Sequence, residues 1–243
     1  MFILDDATPF EVKRSEVEKL PAMLRYPVEI LDGAKLAKEM PKPPAENPNL
    51  VLIGAGGVLT YCLLRKEGFE ADYGYVEPKR TYDYPEGKRP VARVEIPELY
   101  KKQPYKPKAD GPITFLDDVV ASAKTLGKCM DWVGSGNSFN SMSLVLSGEI
   151  RSENKMRMKG GSTISGVDNA YTSQTVRGVD GMPAILSLRF ILLKCREEGN
   201  ANYLMDYVGD DFKPTIMDFI QSIDIGQLKF LYKDTKNFIK YIE

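Results

Sequence analysis

The clearest hydrophobic pattern in the chain lies between residues 112 and 131, where apolar side chains recur at three- and four-residue spacing. These positions are Leu116, Val119, Val120, Ala123, Leu126 and Met130. Such spacing is typical of the buried face of an α-helix. Pro112 suits the first position of a helix, and the acidic pair Asp117–Asp118 suits its electropositive start. A second pattern of this kind covers residues 213–223, so the sequence predicts two principal helices, at about 112–131 and 213–223.

Apolar runs of a different kind predict β-strands around these helices. They lie at 141–150, 155–159 and 185–194, and a shorter run at 91–96 is flanked by prolines, as an edge strand tolerates. The last residues alternate apolar and polar positions on both sides of Lys233–Asn237, which predicts a hairpin. A helix, several strands, a helix and a hairpin in this order favour antiparallel pairing. We therefore predict an α+β fold with a mainly antiparallel sheet, two principal helices and a proline-rich extended arm.

The prolines divide the chain unevenly. All but two of the 16 prolines lie in the first 112 residues. Tyrosine, proline and lysine alternate from residue 73 to residue 112, which predicts the extended arm. We predict a proline-punctuated N-terminal part at 1–111 and an α+β C-terminal part at 112–243, or one continuous domain built from both.

An apolar run at 50–53 leads directly into a glycine turn. If the turn binds a nucleotide, a strand precedes it, a helix follows it, and the candidate contacts are Gly54, Gly56, Gly57 and Glu77. The G-x-G-x-x-G pattern is incomplete, because Leu59 stands where the third glycine belongs. The further strand–helix repeats of a nucleotide-binding sheet are also missing from the pattern downstream. The sequence therefore favours a glycine bend between two strands, with nucleotide binding as the alternative.

The amino-acid composition excludes several kinds of catalytic and metal-binding site. The chain contains no histidine, which excludes Ser-His-Asp and Cys-His catalytic sites and histidine-ligated metals. Its three cysteines, Cys62, Cys129 and Cys195, are too far apart for a short metal-binding motif. We find no complete catalytic motif and predict no catalytic residue, no metal and no cofactor. This favours a protein that is not an enzyme.

Targeting signals are also missing from the sequence. No apolar stretch reaches the length of about 18 residues that a membrane span needs, and the N-terminus has no basic region before its apolar residues. We predict an intracellular protein, cytoplasmic or otherwise, with no signal peptide, no transmembrane segment and no membrane partner.

Cations and aromatic rings are interleaved in the C-terminal segment. Phosphates are bound by cations and bases stack on aromatic rings, so one β-surface bearing both predicts contact with single-stranded nucleic acid. The candidate residues are Lys229, Phe230, Tyr232, Lys233, Lys236, Phe238 and Lys240. The net charge of −1 provides no general attraction to nucleic acid, so binding depends on this local patch.

Three functions follow from these patterns. The leading prediction is a non-catalytic structural or interaction subunit of a macromolecular assembly, with further copies of itself or other protein subunits as partners. The first alternative is a nucleic-acid-binding factor that uses the C-terminal hairpin. The second is a nucleotide-binding enzyme that uses the turn at Gly54–Gly57.

Overall fold

The computed structural model describes residues 2–4, 17–25, 30–43, 49–83, 91–121, 123–151, 155–158, 163–175, 186–187, 192, 195–205 and 208–223. The chain forms two compact units. The first combines Met1–Leu36 with Asp180–Glu243, and the second is Ala37–Val179. The sequence-based boundary at residues 111–112 falls inside the second unit.

The described strands, in chain order, are β1 (Phe2–Leu4), β2 (Ile30–Asp32), β3 (Leu50–Ile53), β4 (Tyr73–Val76), β5 (Lys79–Asp83), β6 (Val91–Glu95), β7 (Ile113–Val120), β8 (Phe139–Leu146), β9 (Gly148–Arg151), β10 (Lys155–Met158), β11 (Thr163–Ser165), β12 (Val167–Thr175) and β13 (Leu186–Ser187). The described α-helices are α1 (Leu20–Met23), α2 (Gly33–Glu39), α3 (Gly54–Lys66), α4 (Glu98–Lys101), α5 (Lys124–Val133), α6 (Asn202–Met205) and α7 (Ile216–Ser222). A 3₁₀ turn lies at Asp210–Phe212.

A five-stranded parallel sheet forms the centre of the second unit. Its strand order is β12-β8-β7-β3-β4, and all four neighbouring pairs are parallel. Helix α3 connects β3 to β4, and α5 connects β7 to β8. Counted along the chain, these five strands lie in the order 2-1-3-4-5, which is a doubly wound, Rossmann-like α/β arrangement.

The prediction of a mainly antiparallel sheet is therefore wrong. Within the described residues, antiparallel ladders are confined to the β5–β6 hairpin and the small β9–β10–β11 sheet. The strands predicted at 141–150 and 155–159 do form, but β8 pairs with strands that are reached through longer connections. We had expected strands that are close in sequence to pair with each other, but the crossover connections place them apart.

The helix predicted at 112–131 is wrong over its first half. Residues 113–120 form strand β7, and α5 begins only at Lys124. Every β7 side chain from Ile113 to Asp117 is buried, because β3 and β8 flank the strand and helices cover the sheet. A strand buried on both faces has a continuous apolar run, and such a run also contains residues at helical spacing. The aspartates lie within β7, directly after the last residue that pairs with β3, and not at the start of a helix.

The glycine bend between two strands is also wrong. Helix α3 starts at Gly54 and continues for 13 residues. Its buried side chains include Val58, Thr60, Tyr61 and Leu64. β-Branched and aromatic residues weaken an isolated helix only slightly, and burial against the sheet outweighs that preference.

The hydrophobic core on one side of the sheet joins β3 and β7 to α5. Val51, Phe115, Leu126 and Cys129 belong to this cluster, together with Met156 from β10. The buried Asn49 fastens the loop before β7, since its amide donates to the Ala109 carbonyl at 2.9 Å and accepts from the Lys108 N–H at 2.8 Å. These contacts fix β7 beside β3.

The first unit contains a small parallel sheet in the order β13-β1-β2. An ion pair joins Arg25 to Asp210, and Leu24 pairs with Val208 in an isolated bridge. Helix α7 lies within the range predicted for the second principal helix. No helix in the described part of the chain has the length and hydrophobicity to span a membrane.

Candidate functional site

The carboxyl ends of β3 and β7 meet at the point where the strand order reverses. From β3 the chain passes through α3 to β4 on one side, and from β7 it passes through α5 to β8 on the other. In open α/β sheets, such a point opens a crevice in which ligands bind. Leu52 of β3 pairs with Leu116 of β7, so the glycine turn and the aspartate pair both follow at the same edge.

The glycines of the turn allow this close approach. A Cβ atom added to Gly56 would lie 2.4 Å from Oδ1 of Asp118 and 2.6 Å from Oδ1 of Asp117. A Cβ atom on Gly57 would lie 2.4 Å from the carbonyl oxygen of Leu116. Gly54 has a φ of 54°, in the left-handed region that glycine adopts most readily. The turn thus holds the start of α3 against the end of β7.

Asp117 and Asp118 differ in their surroundings. Asp117 is buried, whereas Asp118 is half-buried, and the Asp118 N–H donates to Oδ1 of Asp117 at 2.9 Å. Burial raises the pKa of Asp117 well above its ordinary value, and the neighbouring charge of Asp118 raises it further. The Arg80 guanidinium opposes this effect on the pKa, since its Nη2 lies 3.7 Å from Oδ2 of Asp117. Asp118 is thus the more accessible of the two carboxylates.

The start of α5 forms the other side of the crevice. Ala123 precedes the helix with a φ of 56°, and it is the described non-glycine residue that has a positive φ. Such backbone strain clusters at functional sites. The first N–H groups of a helix have no partner within it, and they form a positive end that attracts anions. Thr125, in this first turn, accepts a hydrogen bond from Nε of Arg80 at 3.0 Å.

Glu77, the fourth predicted nucleotide contact, lies exposed directly after β4. Tyr100 is its neighbour: burial raises the pKa of the Tyr100 hydroxyl, and the Glu77 charge raises it further. A contact of Glu77 with a ribose stays a prediction. The nucleic-acid candidates at 229–240 lie outside the described residues, and that function also stays a prediction.

Two further observations concern metal-ligating and nucleophilic side chains. Within the part of the chain that the structure describes, no three Asp, Glu, Cys or His side chains cluster as a metal site. Cys129 lies on α5, and burial raises the pKa of its thiol above the ordinary range. The thiol is therefore protonated at neutral pH and unsuited to nucleophilic attack.

No protein-family model and no curated protein matches this chain. A hypothetical protein from Neisseria gonorrhoeae with bound ppGpp is 16% identical, with 70% of this chain and 92% of that chain covered and a TM-score of 0.43. The purine phosphoribosyltransferase of Pyrococcus horikoshii is 15% identical, with 77% of this chain and 99% of that chain covered and a TM-score of 0.33. The xanthine-guanine-hypoxanthine phosphoribosyltransferase of Helicobacter pylori is 17% identical, with 64% of this chain and 84% of that chain covered and a TM-score of 0.32. The fold assignment rests on strand order and register.

The prediction of a non-catalytic structural subunit is wrong. It rested on the absence of histidine and of any complete catalytic motif, together with the tyrosine- and proline-rich arm. The sheet is parallel, and Asp117, Asp118 and the glycine turn meet at its switch point. Of the functions that the sequence predicted, the nucleotide-binding enzyme fits this arrangement.

Sequence reasoning missed the aspartates, Arg80 and Thr125. A usable signal exists in I-T-F-L-D-D-V-V, where four apolar or β-branched residues lead into two acids. That pattern is typical of a buried strand that reaches a polar edge of its sheet. The sequence carries no comparable signal for Arg80, because its contacts arise from tertiary folding.

Replacing Asp117 with asparagine should make the protein more stable at neutral pH. The raised pKa means that the native state binds this proton more tightly than the unfolded chain does, so the contribution of Asp117 to stability is greatest at low pH and falls as pH rises through the raised value. We expect Asp117→Asn to increase the free energy of unfolding at pH 7 by about 1 kcal/mol or more. The gain should shrink at pH 5. Urea unfolding at both pH values measures it, and equal effects at the two would contradict the assignment.

Proposed function

We propose that this protein is a nucleotide-binding enzyme whose site is the crevice between the carboxyl ends of β3 and β7. The observation that carries the proposal is the packing of Asp117 and Asp118 against Gly56 at the switch point of a parallel sheet. A buried carboxylate such as Asp117 is costly to keep, and a carboxylate with a perturbed pKa in a crevice is typical of functional sites.

The aspartates are suited to a ribose. Ionised carboxylates only accept hydrogen bonds, and an acidic side chain at this edge of a Rossmann-like sheet commonly accepts from ribose hydroxyls. Asp118 is half-buried and faces Gly56, so it is the proposed ligand contact. Asp117 accepts the Asp118 N–H and thereby holds its neighbour in position.

The start of α5 is suited to a phosphate. The helix has ten residues, and its first turn follows the end of β7 after a short loop. Backbone N–H groups at a helix start bind phosphate, and a left-handed residue such as Ala123 turns successive N–H groups toward one point. A ribose 5-phosphate can therefore contact both sides of the crevice, with its hydroxyls at Asp118 and its phosphate at the start of α5.

Among reactions of 5′-phosphorylated ribose, we propose transfer of the phosphoribosyl group. The leaving group on the anomeric carbon departs with the bonding electron pair, and a nucleophilic acceptor forms the new bond to that carbon. When the bond from the anomeric carbon to its leaving group breaks, positive charge develops on the ring. Nearby fixed carboxylates stabilise that charge without the histidine that this chain lacks. The proposal thus needs only binding, orientation and electrostatic stabilisation from the protein.

A thermal-shift and calorimetry panel tests the proposal. The compounds are AMP, GMP and ribose 5-phosphate, with adenosine and glycerol 3-phosphate as controls, each with and without Mg²⁺. Because a compound that binds only the native state stabilises it, we expect the three phosphorylated ribose compounds to raise the melting temperature more than the controls. No stabilisation by any of the three at millimolar concentration would overturn the proposed function.

A further inference from the structure

Arg80 connects the two sides of the crevice from outside the central sheet. It lies on β5, in the two-stranded β5–β6 hairpin. Its Nε donates to Oγ1 of Thr125 at 3.0 Å, on the α5 side, and its Nη2 lies 3.7 Å from Oδ2 of Asp117. One guanidinium group therefore reaches both the proposed phosphate side and the proposed ribose side of the site.

The surroundings of Arg80 differ from those of a purely structural ion pair. Its side chain is 45% exposed, whereas that of Asp117 is 8% exposed. At 3.7 Å, the ion pair is longer than a charge-assisted hydrogen bond. A guanidinium carries five N–H donors in a planar fork that matches phosphate oxygens, so it can contact Thr125 and an anion together.

We propose that Arg80 is the phosphate-specificity residue of this site. This inference rests on the proposed function and assigns a role to the hairpin. The first-turn N–H groups of α5 bind the 5′-phosphate from one side, and Arg80 donates to it from the other. Arg80 thereby sets the preference for a 5′-nucleotide over the corresponding nucleoside.

The hairpin provides a matched control. Arg80 pairs with Val94 across the ladder, and Thr81 pairs with Arg93. Because side chains alternate between the two faces of a strand, Arg93 lies on the face opposite to Arg80. Arg93→Ala removes the same charge from the same hairpin, without removing a group that faces the site.

Calorimetric titration with AMP and adenosine, and in parallel with GMP and guanosine, tests the role of Arg80. For Arg80→Ala we expect the nucleotide affinity to fall by about tenfold to a hundredfold, as for loss of charge-assisted hydrogen bonds. The nucleoside affinity should change little, so the nucleotide-to-nucleoside ratio falls. Arg80→Lys should restore part of the ratio, because it keeps the charge but loses the fork. Arg93→Ala should match the wild type.

The outcomes separate the two proposals. If Arg80→Ala weakens nucleotide and nucleoside equally, Arg80 acts only through the structure around Asp117, and the inference is overturned. If its affinity ratio equals that of Arg93→Ala, the inference is also overturned while the proposed function stands. If wild-type protein binds none of the four compounds, both fail. The ratio is measured within each variant, so partial unfolding does not imitate the effect.

Discussion

Replacing Gly57 with alanine should lower the free energy of unfolding by roughly 3 kcal/mol, at the upper end of the range for overpacking a core. The added Cβ would lie 2.4 Å from the Leu116 carbonyl oxygen and 3.1 Å from the Leu52 carbonyl carbon. Both atoms belong to the backbone of central strands. Neither atom can move aside without shifting β3 or β7, so a small side-chain movement cannot relieve the strain.

Gly127→Ala is the matched control for this substitution. Gly127 lies inside α5, where a Cβ would meet nothing closer than Ile164 Cδ1 at 3.9 Å. Alanine is favoured over glycine in a helix interior by up to about 1 kcal/mol, so this variant should be slightly more stable. Urea unfolding of both variants measures the difference. Equal stability of the two would show that α3 does not pack this closely on β7.

Replacing Asp118 with asparagine should weaken nucleotide binding by about a hundredfold. Asparagine has nearly the same shape, but it exchanges a charged acceptor for an amide that donates on one side. Two charge-assisted hydrogen bonds from ribose hydroxyls are thereby weakened, and each contributes about 1.5–3 kcal/mol. Titration of the variant with AMP and GMP measures the loss.

Asp168→Asn provides the comparison at the opposite edge of the sheet. Asp168 lies at the amino end of β12, where it accepts a hydrogen bond from Ser138. The same chemical change there leaves the crevice intact and should leave nucleotide affinity within about twofold. If Asp118→Asn binds as well as Asp168→Asn does, Asp118 is not a ligand contact.

Strand β7 shows why the fold was only partly predictable. Its apolar positions fit both a helix and a continuously buried strand, because a run with few polar residues contains both periods. Periodicity identified the segment as buried. It did not reveal that β3 and β8 lie on either side, since those partners are distant in sequence.

The glycine turn shows that the site, too, was only partly predictable from the sequence. The sequence identified Gly54, Gly56 and Gly57 as an unusual group, and the structure places them at the switch point. The turn does not match the G-x-G-x-x-G pattern, because the glycines of that pattern make room for a pyrophosphate. Gly56 instead makes room for the side chains of Asp117 and Asp118, which lie about 60 residues further along the chain.

Arg80 marks the limit of sequence reasoning here. It was predicted to lie within an extended arm, and in the structure it belongs to a regular hairpin. Its contact with Thr125 joins residues 45 positions apart. A basic residue in a tyrosine- and proline-rich segment carries no local signal for such a contact.

Hydrogen–deuterium exchange of the wild-type protein, with and without saturating AMP or GMP, tests the location of the site most directly. We expect slower exchange in peptides that contain Gly54–Gly57 and residues 117–126, with no change in peptides covering Gly134–Ser138 at the amino edge. Protection confined to other peptides, such as those at 229–240, or no protection at saturation, would contradict a nucleotide site at the carboxyl edge of this sheet.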